Sequence, residues 1–323
     1  MKTIIDEVKE KNSCEMRDKM FFTYGLQMIK LTRAHIGIAV LPSFWLGSIF
    51  ALLLGNEFNL FIFSIGFIII FCLYASASYV NDYFDFEADK YNRQFGFSGG
   101  SGVLQKFPEL KKPAKWIGII FILISLSLTV MLSLISFIPM WAVGFIAIGA
   151  FLSYFYSAPP VQMAYRGVGE FPHFIAGLLN AGWGYLLITG TIDLSLILFA
   201  IPLSLHLLTV ILLFEIPDKE ADIHGGKQNF IVTYGRKKAY FLIMILFWLA
   251  TVYLLFLAWF GWNQASINFW IPASISFIPS IVSTYYFITK YHEQIVTKIA
   301  IKTALSLFLF SSLFLVYTLY LLF

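Results

Sequence analysis

The chain has 323 residues, of which 59% are hydrophobic and 12% charged, and its mean hydropathy is +0.80. An ordinary soluble domain has an apolar share of about 45–50%, so a soluble globular fold is excluded and an all-α polytopic membrane protein is expected. The net charge of +4 says less than where the cations lie, and no run resembles a nucleic-acid module, a Walker loop or a zinc site.

Met1 to Lys30 carries mixed charges without a compact apolar stretch and a small-residue cleavage site, so it reads as a cytoplasmic lead-in helix and not as a signal peptide. The two cysteines, Cys14 and Cys72, make no disulfide framework by spacing. A spanning helix needs about 20 predominantly apolar residues. Nine runs qualify, at about 34–55, 58–81, 116–138, 140–158, 168–190, 193–215, 238–260, 269–289 and 300–322. Short connections such as Gly55-Asn56-Glu57 and Gly190-Thr191 predict antiparallel hairpins in one bundle.

All 22 Lys and Arg residues then fall in alternate segments on one side: before Ala34, between Lys90 and Lys115, at Arg166, between Lys219 and Lys238, and between Lys290 and Lys302. Cationic loops stay in the cytoplasm. The expected topology is nine transmembrane helices in one domain, 1–323, with cytoplasmic cap loops, the N-terminus inside and the C-terminus outside.

Two acidic clusters end apolar runs on that same side. In Asn81-Asp82-Tyr83-Phe84-Asp85-Phe86-Glu87-Ala88-Asp89, helical spacing puts Asn81, Asp82, Asp85 and Asp89 on one broad face and turns Glu87 away. Glu215, Asp218 and Asp222 repeat the i, i+3, i+7 spacing. Carboxylates at the end of a span are solvated, metal-bound or functional. Hard oxygen ligands suit Mg²⁺, and two such stations are able to grip a diphosphate through bridging metals.

The two longest loops, Glu87 to Lys115 and Pro217 to Lys238, each follow an acidic station. The first holds Phe97-Ser98-Gly99-Gly100-Ser101-Gly102, either a backbone cradle for phosphate oxygens or a plain flexible turn. In the second, Lys227 is either a phosphate contact or an ordinary surface lysine. After Tyr154-Phe155-Tyr156-Ser157-Ala158, Pro159 and Pro160 end the fourth helix. Arg166, the only cation of its loop, either pairs with Glu170 four residues on or serves a site. His173, Asn180 and His206 lie inside apolar runs, where a bond between helices is the commoner role and a cavity lining the sharper one.

Taken together, these runs resemble the UbiA superfamily of intramembrane prenyltransferases over nearly the whole chain. The likeness rests on Asn81-Asp82-x-x-Asp85-x-x-x-Asp89, Asp218-x-x-x-Asp222, Arg33 before the first span and Tyr156-Ser157-x-Pro159-Pro160. Tyr165-Arg166-Gly167-x-Gly169-Glu170 and Gly226-Lys227 running on to Tyr234-Gly235-Arg236 complete it.

The resemblance implies Mg²⁺-dependent transfer of a prenyl group from a polyprenyl diphosphate to an aromatic acceptor. It implies metal ligation by Asn81, Asp85, Asp89, Asp218 and Asp222 with Asp82 close by, catalysis by the four aspartates 85, 89, 218 and 222, and diphosphate binding by Arg33, Asn81, Arg93, Tyr156, Arg166 and Lys227. The 4-hydroxybenzoate and glyceryl-phosphate branches usually follow the first motif with an Asn-Arg-Pro-x-Arg-Pro-like run, and the hydroxybenzoate branch tends to carry a lysine four residues after the tyrosine. Here Tyr91-Asn92-Arg93-Gln94-Phe95-Gly96 and Pro160 stand instead. Ser98-Gly99-Gly100-Ser101-Gly102-Val103-Leu104 and Glu215-Ile216-Pro217-Asp218 look more like 1,4-dihydroxy-2-naphthoate polyprenyltransferases of menaquinone synthesis. Other members of the superfamily, including a terpene cyclase, and in a different class a cation-coupled transporter, are the competing expectations.

Overall fold

The structure, a computed structural model, describes residues 20, 22–92, 100–135, 137–262 and 265–323, without the side chains of 35 and 38–40. Among these residues all regular structure is helical. Each of the nine apolar runs holds a helix: α1 Ala34–Leu53, α2 Leu60–Phe84, α3 Lys111–Leu134, α4 Ala142–Phe155, α5 Phe171–Thr189, α6 Leu194–Gly225, α7 Arg236–Trp259, α8 Trp270–Tyr285 and α9 Val296–Tyr320. Seven helical stretches are long and apolar enough to cross a membrane, and Leu41–Leu53 and Ala142–Phe155 are shorter apolar helices.

Local chemistry sets the ends. Asn59 and Asp193 cap α2 and α6, accepting the N–H of Ile62 at 3.1 Å and of Leu196 at 3.0 Å. Arg33 stands in the left-handed region at φ 48°, separating α1 from the helical residues 22–31, and the Tyr74 hydroxyl donates to its carbonyl at 2.5 Å. Of the expected lead-in helix, residues 1–19 and 21 lie outside the described residues. Two boundaries differ from the apolar runs. α3 starts at Lys111, because Lys111, Lys112 and Lys115 favour helix while hiding from a hydropathy reading. α6 continues through Pro217 to Gly225, so the second acidic cluster rides a helix that outlasts its apolar run.

α6 is the most enclosed of the seven long stretches, with 72% of its apolar window buried. It packs on α5, α7, α9 and α1; α1 packs on α5 and α9, α7 on α8, α8 on α9, and α2, α3 and α4 form a cluster joined to α5. Small residues allow the closest crossings. A Cβ on Gly184 would overlap the Phe44 carbonyl of α1, and one on Gly177 would overlap the Ser204 backbone of α6. Phe50 stacks on Phe199 with ring centroids 4.3 Å apart, and the Trp183 indole donates to Gly66 O at 2.9 Å. Outward-facing Leu123, Leu249, Val252, Leu305 and Val316 are exposed, a surface suited to lipid.

Because helices successive in the chain alternate in direction, the C-termini of α2, α4 and α6 and the N-termini of α1, α5 and α7 share one end of the bundle.

Candidate functional site

At that end α2 stops at Phe84, but the hydrogen-bond ladder runs on: the Asp85 N–H donates to Asn81 O and the Asp89 N–H to Asp85 O, both at 2.8 Å. The 3₁₀ turn Ala88–Tyr91 carries Asp89. Glu87 turns outward and pairs with Lys90 at 2.6 Å. The tip of α6 lies against this turn. A Cβ on Gly225 would overlap Ala88, and the rings of Tyr91 and His224 stack with centroids 4.6 Å apart.

The two acidic stations meet at Lys227. Its ammonium is 2.7 Å from Asp85 Oδ2 and 3.1 Å from Asp222 Oδ1. The Asn81 amide donates to Asp85 at 3.0 Å and to the Ser157 hydroxyl at 2.9 Å, and the Tyr165 hydroxyl donates to Asp85 at 2.6 Å. Asn229 donates to Asp222 at 2.7 Å, and Asn92 to Asp218 at 3.1 Å. Burial alone would lower the Lys227 ammonium, but Asp222 and Asp85 carry it well above its ordinary value. Burial, then the charges of Asp85 and Asp82, push the Asp89 carboxyl up to about 8 against Arg33 and Lys227. Among the described residues the cavity mouth holds more carboxyl groups than cations, the latter being Arg33 and Lys227.

These groups open into a cavity of about 260 Å³ that runs down between α1, α2, α4, α5 and α6. Its polar end is lined by Arg33, Asn81, Asp85, Asp89, Tyr156, Asp218, Asp222 and Lys227. Below them the walls are apolar, with Ile70 and Leu73 from α2, Ile146, Gly149 and Leu152 from α4, and Leu207, Val210 and Ile211 from α6.

Of the eleven metal, catalytic and diphosphate-binding residues that the resemblance implies, those eight share the cavity. Asp82 stands beside it. One of its oxygens pairs with Arg33, and the other accepts the Ser101 N–H at 3.2 Å and the Ser101 hydroxyl. Arg166 is exposed and does not line the cavity, and Glu170 accepts the Phe230 N–H at 2.5 Å. Arg93 lies outside the described residues, as do Phe97 to Gly99 of the glycine loop. Gly100, at φ +70°, packs so closely on Asp89 that a Cβ would overlap its carboxylate.

His173 and Asn180 line the cavity, whereas His206 faces Phe247 and Phe310 in the core. Ser157, Tyr165 and Asn229, which orient Asn81, Asp85 and Asp222, carry no individual signal in the sequence. The first two stand inside quoted motifs, and Asn229 follows Lys227 by two, so proximity to the motifs was the available signal.

Among the described residues no group of three or more His, Cys, Asp or Glu forms a ready-made metal cage. The donors fit Mg²⁺ in another manner: hard carboxylate oxygens, one or two at a time, leave room for water and phosphate oxygens in the shell.

Comparisons with known proteins agree with the architecture. A UbiA homologue from Archaeoglobus fulgidus bound to GPP and Mg²⁺ superposes with a TM-score of 0.66 at 16% identity, over 92% of this chain and 99% of that one. The same homologue bound to DMAPP and Mg²⁺ gives 0.65, 16%, 92% and 99%. A digeranylgeranylglyceryl phosphate synthase gives 0.62 at 18% identity over 91% of this chain and 98% of its own. No curated protein sequence matches. At these identities the likeness carries the fold, and the sequence signature carries the rest. Residues 39–311 match the UbiA prenyltransferase family; the chain belongs to that family and is a prenyltransferase.

Proposed function

We propose that the protein transfers the prenyl group of a polyprenyl diphosphate, held with Mg²⁺ between the two acidic stations, to an aromatic acceptor, 1,4-dihydroxy-2-naphthoate, in menaquinone biosynthesis. The observation that carries this reading is the contact of Lys227 with both Asp85 and Asp222 at the mouth of a mostly apolar cavity. Such a mouth suits a diphosphate and such a cavity an isoprenoid chain. The A. fulgidus homologue binds GPP or DMAPP with Mg²⁺ on the same fold.

Asn81, Asp85 and Asp89 on one side and Asp218 and Asp222 on the other would hold the metal. Bound there, Mg²⁺ supplies the positive charge that stabilises the leaving diphosphate. Lys227 and Arg33 add fixed charge at the same place, and Asn81, Tyr165 and Asn229 keep the carboxylates aimed. Asp82, with both oxygens engaged, holds Arg33 and Ser101 in position. The apolar walls shield the allylic cation from water until the acceptor carbon reaches it. The naphthoate assignment rests on the sequence around Gly100 and Glu215.

We also infer that all nine helices cross the membrane with the mouth facing the cytoplasm. The stations follow α2 and α6, and for them to meet at Lys227 an even number of crossings must separate them. That requires the short α4 to cross together with α3, α5 and α6. All 22 cations then lie on the side of the mouth.

The test is incubation of purified protein with Mg²⁺, geranyl or longer polyprenyl diphosphate and 1,4-dihydroxy-2-naphthoate. Prenylated naphthoquinol is expected; product from the diphosphate alone would mark a cyclase instead.

A further inference from the structure

One carboxylate of the cavity belongs to neither metal station. Glu215 lies on α6 one turn before Asp218, on the cavity side of the helix, and is 6% exposed. Its Oε2 atom is buried and, among the described residues, has no hydrogen-bond partner. A buried carboxylate oxygen without a donor is uncommon in a folded protein and marks a place where another molecule completes the bonding. Asp85 and Asp222 differ in this respect, since Lys227, Tyr165 and Asn229 satisfy them.

The surroundings of Glu215 define what that molecule brings. Tyr156, near enough to Glu215 to feel its charge, and His173 also line the cavity, with ring centroids 5.2 Å apart and the rings edge to face. The His173 ring is fixed through Nδ1 at 3.1 Å from Gly169 O. The charges acting on Glu215 are those of Glu170, Asp222 and Asp218, opposed by Lys227. An acidic cavity wall with aromatic rings nearby suits a flat molecule that presents a hydrogen-bond donor to it and keeps any carboxylate of its own elsewhere. A hydroxyarene fits that description.

Resting on the aromatic-acceptor reading above, we propose that Glu215 is the acceptor-side catalytic residue, binding the hydroxyl of the hydroxyarene and taking its proton as the new carbon–carbon bond forms. The O–H proton passes to the Glu215 carboxylate, and the electron pair it leaves enters the ring. The ring carbon bonds to the allylic carbon of the prenyl chain, whose C–O bond breaks with its electron pair leaving on the diphosphate. The resulting dienone regains aromaticity by losing either the ring proton or, in a hydroxy-acid acceptor, CO₂, and the hydroxyl is restored by a proton from Glu215 or solvent. Glu215 sits one helical turn, about 5 Å of rise, below the diphosphate station, which places the hydroxyl pocket beside the bond that breaks.

The experiment compares wild type, Glu215→Gln and Glu215→Asp in two readouts: Mg²⁺-dependent binding of geranyl diphosphate, and prenyl transfer to 1,4-dihydroxy-2-naphthoate and to 1-naphthol. Glutamine keeps the shape and an accepting oxygen but cannot take the proton. It should bind geranyl diphosphate within about twofold of wild type and transfer at least about 100-fold more slowly, the scale of general base catalysis; Glu215→Asp should recover part of the rate. Transfer by Glu215→Gln at the wild-type rate overturns the assignment. So does a loss of diphosphate affinity that accounts for the lost rate, because Glu215 would then belong to the metal station. A wild-type protein that prenylates no hydroxyarene overturns the aromatic-acceptor reading itself, and the role of Glu215 with it.

Discussion

The Lys227 ammonium lies 2.7 Å from Asp85 Oδ2, tying the loop after α6 to the C-terminus of α2. With Asp222 as its second partner at 3.1 Å, Lys227 occupies the centre of the charge cluster. Replacing it by Ala removes a charge-assisted contact of about 1.5–3 kcal/mol. Geranyl diphosphate affinity should therefore fall roughly 10–100-fold, read as the dissociation constant at saturating Mg²⁺. Unchanged affinity would remove Lys227 from the diphosphate site.

Asp85→Asn and Asp218→Asn each weaken a metal-binding carboxylate without emptying a packed volume. Both variants should fold, judged by elution as a single species and by thermal unfolding, while turnover drops at least about 100-fold, the scale of lost transition-state electrostatics. Wild-type turnover in either would contradict the metal assignment of that station.

Asp82 predicts a different outcome from its neighbours. The Arg33 and Asp82 side chains are only 11% and 2% exposed, and removing one member of a buried pair costs about 3–5 kcal/mol. Asp82→Ala should lower the unfolding temperature clearly more than Asp218→Asn does. Equal stability of the two variants would show that Asp82 does not hold Arg33 in place.

Gly149 lines the cavity from α4, and a Cβ there would sit 3.1 Å from Leu73 of α2. Gly149→Leu narrows the apolar channel below the diphosphate. Pocket sterics discriminate by about 1–3 kcal/mol, so KM for farnesyl and longer donors should rise about tenfold or more while geranyl diphosphate is little affected. A uniform rise for all donors would place the chain elsewhere.

Much of this arrangement was legible in the sequence, for identifiable reasons. Apolar runs located the helices because a membrane span leaves few polar residues to blur its ends, as at Ala34–Leu53 and Arg236–Trp259. The boundary at 215 was misplaced because the tip of α6 is polar and contains Pro217, features that usually end a helix. The acidic stations were legible because their spacing is local. What spacing does not encode is who satisfies whom. Ser101 engages Asp82, Tyr165 engages Asp85 and Asn92 engages Asp218 only after the loops close over the bundle. For the same reason Glu215, a member of a regular acidic repeat, gave no sign that it would line the cavity and keep an oxygen without a partner among the described residues.

A transporter would carry its charged groups near the midplane in broken helices; here they cluster where α2 and α6 end. Calorimetric titration of geranyl diphosphate into wild type, Asp85→Asn and Asp222→Asn, with Mg²⁺ and with EDTA, decides whether both clusters grip one magnesium diphosphate. Binding to wild type should be abolished by EDTA and weakened at least tenfold by each single variant. Tight binding without Mg²⁺, or by either variant at wild-type strength, would contradict that shared grip.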